Sequence, residues 1–210
     1  MSVDGRAGMR LKLYIFILLI SQEAVQISPI NAAQGLAIIP KPFEIPEFGT
    51  VTGFLVTLGK HKISFIPPPR WHVETDSKAL KVTCLAPDLG ASLSFRLIAP
   101  NPVTMEKGQL TEELLKAYIT TTYPKATITR TFLSFTNGTQ GLTFDLQMLA
   151  QGKFLVTYRL AYIPLGKDLI EFNLTSSSSR FESFHNSYGY LMSSFKVEGS
   201  TDPSVKLLEP

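Results

Sequence analysis

Few side chains in this sequence have the types and spacing that catalysis or metal binding requires. The histidines are His61, His72 and His185, and none lies within metal-ligand spacing of another or of the single cysteine, Cys84. No glycine-rich phosphate loop follows a predicted strand, and no G-x-S-x-G nucleophile motif occurs. We therefore expect no cofactor and no catalytic residue, and a non-enzymatic protein.

Cys84 lies in a predicted strand over residues 80–86, on the same side as Val82. This position favours a small buried hydrophobic residue. A nucleophilic thiol is the alternative, but no neighbouring signature supports it. A lone cysteine also excludes an internal disulfide, so packing must supply the stability.

The segment Arg70-Trp71-His72 is the candidate partner-binding patch. Pro67-Pro68-Pro69 stiffens its approach, and Trp71 is the only tryptophan of the chain. Tryptophan and arginine are favoured anchors of binding hot spots. The alternative is that Trp71 covers the core beneath the proline turn, since aromatic side chains pack more often than they bind.

A second group of residues could serve an enzyme or a small-ligand carrier. Apolar residues alternate over 142–150 and 154–162, and a three-residue turn at 151–153 keeps one face of the hairpin apolar. It pairs Ala150 with Phe154 and sets Asp145 opposite Arg159. We expect an exposed ion pair worth under about 1 kcal/mol. The alternative is a catalytic acid with its positioning residue, joined by Glu171 and a nearby histidine.

Two helices are predicted to flank these strands. The first covers about residues 112–123, with Thr111 as N-cap, Leu110 in a hydrophobic staple and Pro124 after its end. The second begins with a capping box at Ser179 and Glu182. Its apolar residues recur at helical spacing and predict one buried stripe: Phe181, Phe184, Tyr188, Leu191 and Phe195. Gly189 within it suggests a close approach to a strand.

Short strands are also predicted at 61–66, 91–99, 126–135 and 169–175, the second ended by a Pro100–Pro102 turn. Runs of antiparallel strands with helices indicate an α+β domain. We expect an antiparallel sheet of about six to seven strands sandwiched by helices.

The beginning of the chain resembles a secretory signal peptide. Basic residues at 6, 10 and 12 precede an apolar run at 13–20, and small residues follow at 32 and 33. The run is too short to span a bilayer, which needs about 20 apolar residues. We divide the chain into a signal peptide at 1–33, a proline-rich extension at 34–60, a domain at 61–198 and a tail at 199–210. Retention of the N-terminal segment as a membrane tether is the alternative.

Three segments in order resemble the PsbP-like fold, the group of PsbP and DcrB-type exported accessory proteins. They are the strand and proline turn at 63–71, the helix start at 110–118 followed by a strand after Pro124, and the closing run from 154 to 195. The resemblance spans about residues 61–197. It implies an antiparallel sheet between helices and a non-enzymatic accessory or binding role, and it transfers no catalytic residue.

These observations together predict an exported, periplasmic or secreted binding module with an envelope protein partner. The net charge of +3 gives no footprint for nucleic acid. The alternative function is an extracytoplasmic small-ligand carrier or enzyme with a site on the sheet.

Overall fold

The computed structural model describes residues 35–46, 49–98, 111–166 and 168–198. Several predictions fall outside these residues: the signal peptide, the Pro100–Pro102 turn, Leu110 in the hydrophobic staple, and the tail at 199–210. No helix within the described ranges has the length and apolar character needed to cross a membrane.

Eleven strands and two α-helices form within these ranges. The strands are β1 Leu36–Ile45, β2 Gly49–Leu58, β3 His61–Phe65, β4 His72–Asp76, β5 Lys81–Leu85, β6 Ala91–Ile98, β7 Thr127–Thr136, β8 Thr139–Ala150, β9 Phe154–Leu165, β10 Asp168–Ser177 and β11 Lys196–Glu198. The helices are α1 Glu112–Thr122 and α2 His185–Ser194, the latter preceded by a 3₁₀ helix at Phe181–Phe184. Thr111 caps α1, as expected, by accepting a bond from the Leu114 N–H.

The main sheet has seven antiparallel strands in the order β4-β5-β6-β10-β9-β8-β7. This matches the expected sheet, although β4 was not foreseen. A second sheet of four strands, β1-β2-β3-β11, was also not foreseen. The architecture is therefore broadly α+β. The helices are few and short, and on one side of the main sheet the second sheet packs together with α2.

Two hydrophobic clusters hold the layers together. The α2-side cluster joins Phe65 of the small sheet to Phe95 of the main sheet and to Phe195 after α2, with ring centroids 5.1 Å and 5.4 Å from Phe95. The α1-side cluster packs Leu115 and Ile119 of α1 with residues of the main sheet. Successive residues of β9 belong alternately to the two clusters, because side chains alternate across a strand. The middle of the main sheet is therefore buried on both faces.

Residues 36–58, within the predicted extension, form β1 and β2. Their extended, non-helical conformation is as the prolines led us to expect. β2 pairs with β3 from Phe54 to Leu58, and Val56 and Leu58 are fully buried in the α2-side cluster. This part of the chain thus contributes a layer to the folded core.

The β8–β9 hairpin has the register that its pattern predicts. Ala150 pairs with Phe154, and Asp145 pairs with Arg159. The turn places Gln151 and Gly152 at positive φ, 49° and 66°, the left-handed conformation that glycine adopts at no steric cost.

The predicted capping box before α2 is wrong. No side chain caps the 3₁₀ helix, whose N-cap is Arg180 instead of Ser179. Arg180 is fixed by tertiary contacts, with Nη2 2.6 Å from Asp88 Oδ2 and its guanidinium over the Phe184 ring. The buried stripe is confirmed, since all five residues are buried. A Cβ at Gly189 would meet no atom within 4 Å. The predicted close approach of a strand to Gly189 is therefore also wrong.

Candidate binding cleft

A cleft of about 580 Å³ opens between the first half of β2 and the segment that joins β3 to β4. Three parts of the chain line it, together with Tyr190 of α2: Val51, Thr52 and Phe54 from β2; Ile66 to Trp71 from the connecting segment; and His72 and Val73 from β4. The three residues of the predicted patch, Arg70, Trp71 and His72, therefore share one concave surface. Its volume lies within the range of about 300–1,000 Å³ that is typical of ligand pockets.

The proline run forms the rigid wall of the cleft. Prolines fix φ and offer no N–H group, so Pro67-Pro68-Pro69 cannot extend β3. The Trp71 N–H donates to the Pro68 carbonyl oxygen at 3.0 Å, which closes a tight turn around Pro69 and Arg70. Arg70 has φ of 68° there, a position that favours glycine. A non-glycine residue in this conformation costs about 1–2 kcal/mol, and such strain is concentrated at functional sites.

Trp71 both packs on the core and lines the cleft. Its ring meets Phe184 edge to face, with centroids 5.9 Å apart, and the side chain is only half-buried. Trp71 therefore packs on the core, as the alternative stated. Part of its indole ring also lines the cleft.

Arg70 and His72 extend from the same rim. Both are exposed, and Arg70 forms no ion pair with any described residue. His72 Nε2 lies 3.9 Å from Glu74 Oε1. None of the lining residues that the structure describes carries a carboxylate, and these residues present aromatic and proline surface together with the Arg70 guanidinium.

Gly53 permits the tight packing behind the cleft. A Cβ at this position would lie 2.6 Å from the Phe43 ring and 2.6 Å from the Phe65 carbonyl oxygen. The close approach holds β2 against the end of β3 and fixes the position of Val51 and Thr52.

Asp145 and Arg159 do come together, but not as an exposed pair. Arg159 Nε and Nη2 donate to the two Asp145 oxygens at 2.7 Å and 2.8 Å, and these residues are 1% and 3% exposed. The prediction of a solvated pair is wrong because the second sheet and α2 bury this face. The guanidinium also lies over the rings of Phe132, Phe181 and Tyr188.

His185 is the histidine near this pair. Its Nδ1 lies 2.7 Å from Arg159 Nη1, and because a guanidinium only donates, Nδ1 must accept. This requires the neutral tautomer with its proton on Nε2. The three residues thus form a network that links α2 to the sheet, and Arg130 Nη1 lies 3.9 Å from Asp145 Oδ2.

Glu171 lies on the opposite face of the main sheet, apart from Asp145 and Arg159. It accepts a bond from Arg96 Nε at 2.8 Å, and it sits opposite Tyr162, whose ring belongs to the α1-side cluster. The adjacent Glu171 carboxylate raises the pKa of Arg96 despite its burial. The four residues proposed for a sheet-face site are therefore divided between two faces.

The remaining candidates for a nucleophile or a metal ligand, Cys84 and His61, have structural roles. Cys84 is fully buried, and burial raises the pKa of its thiol to about 12, which makes it a hydrophobic residue and removes the nucleophile alternative. His61 Nε2 lies 2.6 Å from Asp168 Oδ2. Among the described residues, no three His, Cys, Asp or Glu side chains are grouped as metal binding needs.

Sequence reasoning missed the part of the cleft that comes from β2 and α2. Phe54 lay in the segment predicted to be an extension, and Tyr190 lies off the buried stripe of its helix. In the sequence, Tyr190 lies between two residues of the buried stripe, and this position predicts an exposed aromatic side chain. No local sequence pattern predicted that it lies near Trp71.

Comparison with known proteins gives structural neighbours only. No family model matches the chain, and no curated protein matches it. Similar solved structures include cyanobacterial PsbP (CyanoP) from Synechocystis sp. PCC 6803, at 14% identity, 82% of this chain, 98% of that chain and a TM-score of 0.48.

Two further neighbours have comparable values. The Saccharomyces cerevisiae Ran-binding protein Mog1p has 12% identity, covers 77% of this chain and 96% of that chain, and has a TM-score of 0.46. LpqN, described as involved in cell envelope biogenesis of Mycobacterium tuberculosis, has 14% identity, 76% and 91% coverage, and a TM-score of 0.43.

Proposed function

We propose that this chain is an exported, non-enzymatic binding module that holds an envelope protein partner at the Arg70-Trp71-His72 cleft. The observation that carries the proposal is the lining of that cleft. Its described residues combine half-exposed aromatic rings with a guanidinium that forms no ion pair among them, and they include no carboxylate. Aromatic and arginine side chains in a concave, partly desolvated site are the usual anchors of protein interfaces.

The described lining residues of the cleft include one histidine and no carboxylate. A general acid or base must lie within hydrogen-bond reach of the group it serves. His72 is the titratable group with the best access, and its one described ionic neighbour, Glu74, is 3.9 Å away. In the Asp145–Arg159 pair, the guanidinium lies over the rings of Phe132 and Phe181.

The extracytoplasmic location rests on the sequence of the first 33 residues. N-terminal sequencing of the protein from its native host tests it. Cleavage predicts a first residue near Gln34, whereas an intact start at Met1 or Met9 would contradict export by signal cleavage.

Affinity capture tests the partner. The C-terminally tagged chain is isolated from its native envelope extract after mild cross-linking, and the captured proteins are identified by mass spectrometry. The variants Arg70→Gly and His72→Ala alter the rim, and Lys78→Ala, at an exposed turn, is the matched control. Thermal unfolding establishes that every variant is folded.

The proposal expects one stoichiometric partner that is retained by Lys78→Ala and lost from the rim variants. Capture of no protein above background, or equal capture by all variants, would contradict it. The cleft volume also favours a second function, a small-ligand carrier. That function predicts a bound small molecule in the purified protein, released on denaturation, and no stoichiometric protein.

A further inference from the structure

The cleft is bordered by an unpaired strand edge. β2 pairs with β1 along its whole length, but with β3 only from Phe54 to Leu58. Because the proline run turns the chain away after β3, residues 49–53 have no described partner on the β3 side of β2. Val51 and Thr52, in this unpaired stretch, line the cleft.

The backbone groups on this edge require a hydrogen-bond partner, either water or another strand. Gly53 packs against the Phe65 carbonyl oxygen, so the open part of this edge is residues 49–52, long enough for about 14 Å of added strand. The cleft occupies the position that a longer β3 would fill beside β2. The opposite wall of the cleft is formed by Pro67 to Trp71. A single extended segment therefore fits the geometry better than a helix.

We infer that the partner binds through an extended, acidic peptide segment that adds as a strand to the open edge of β2 at residues 49–52. This inference rests on the proposed function and specifies how the partner is recognised. Main-chain bonds to β2 supply affinity, and alternate side chains of the segment supply specificity. One apolar side chain enters between Phe54, Trp71 and Tyr190.

The charge of the segment follows from the lining. Arg70 is exposed, forms no ion pair with a described residue, and has no carboxylate beside it in the cleft. A guanidinium that is held in a strained turn at the rim matches an acidic side chain of the ligand. A basic segment would meet the like charge of Arg70.

Trp71 provides a direct readout, because it is the only tryptophan and lies in the cleft. The probe is a positional-scanning library of tryptophan-free hexapeptides, blocked at both ends, titrated against the full chain. The inference expects peptides with one acidic residue and one large apolar residue to change the Trp71 emission. N-methylation of alternate amides in such a peptide weakens binding at least tenfold, and N-methylation of the intervening amides leaves it within about twofold.

Two variants locate the charge contact. Arg70→Gly is expected to weaken binding of the acidic peptide about tenfold, which is about 1.4 kcal/mol, and to leave the peptide with Glu replaced by Gln unaffected. Lys78→Ala binds both peptides like the unmodified protein. No emission change with any peptide, or equal sensitivity at all N-methylated positions, overturns the inference.

Failure of this inference is distinguishable from failure of the proposed function. If a captured partner is lost from Arg70→Gly while no hexapeptide binds or competes, the partner uses a folded surface and strand addition is wrong. If no partner depends on Arg70 or His72, the proposed function itself is wrong.

Discussion

At the residue scale, the Asp145–Arg159 pair shows how far burial changes the worth of an ion pair. The register that joins these residues follows from the alternation of β8 and β9. Their burial does not, because the layers over this face come from β1–β3 and α2, which lie far away in sequence. We therefore expect this pair to contribute more to the free energy of unfolding than an exposed pair would.

Asp145→Ala is expected to lower the free energy of unfolding by about 3–5 kcal/mol, since it leaves the Arg159 charge buried without its partner. Lys116→Ala is the control, because Lys116 forms an exposed pair with Glu112 one helical turn away. Lys116→Ala should lower the free energy of unfolding by no more than about 0.5 kcal/mol. Urea denaturation measures both, and equal costs would show that the Asp145–Arg159 pair is not buried in solution.

We expect Arg70 to contribute to partner binding and to lower the stability of the fold. Arg70→Gly removes the strain of a positive φ, while glycine also increases the freedom of the unfolded chain. The free energy of unfolding should stay the same or rise by up to about 1 kcal/mol, and partner binding should be lost. A variant that is markedly destabilised in thermal unfolding would show that Arg70 supports the fold instead.

Asp168 gives a pH dependence of defined sign. Partial burial raises the pKa of its carboxyl, but the hydrogen bonds from Lys60 and His61 outweigh burial and lower the pKa below 3.8. A lowered pKa stabilises the fold above the unfolded-state value of about 3.9 and loses this effect as pH falls through the folded-state pKa.

Asp168→Asn should therefore be less stable than the unmodified chain at neutral pH, by under about 1 kcal/mol because the site is partly solvated. The difference between the two proteins should shrink when the pH is lowered from neutral to below the unfolded-state pKa of about 3.9. Denaturant midpoints at both pH values provide the measurement. A difference of the same size at both would exclude the ionised Asp168 as its source.

At the element scale, the predictable features are those that local pattern determines. The β8–β9 turn and the Thr111 cap follow from residues within a few positions of one another. The start of α2 was mispredicted because Arg180 is held by Asp88, 92 positions away, and this contact outweighs the local preference for a Ser179 cap. β4 was missed because its residues, His72–Asp76, are polar and largely exposed at a sheet edge.

The β1–β2 hairpin is the element whose role the structure changes most. Leu58→Ala should lower the free energy of unfolding by about 2–5 kcal/mol, because Leu58 is fully buried between the sheets. Ile39→Ala, in the same hairpin but 59% exposed, should change it by under about 0.5 kcal/mol. Equal small effects in chemical denaturation would mean that the hairpin is not part of the cooperative unit.

At the scale of the whole molecule, the seven-stranded sheet could be predicted from alternation, but the cleft could not be. Arg70, Trp71 and His72 were identified because they follow three prolines. Phe54 and Tyr190 reach them through the packing of the second sheet and α2, a long-range arrangement that a single sequence does not encode in any local pattern. The site was thus predicted as a segment, whereas the structure shows a concave surface.

The most direct test of the cleft as the partner-binding surface is site-specific photo-cross-linking in the native host. A photoreactive amino acid replaces His72 at the rim, and in a matched protein it replaces Lys116 on the exposed side of α1. The proposed function predicts one discrete adduct from position 72, absent from position 116 and abolished by Arg70→Gly. Adducts of the same kind from both positions, or none from position 72 in a folded and exported protein, would contradict it.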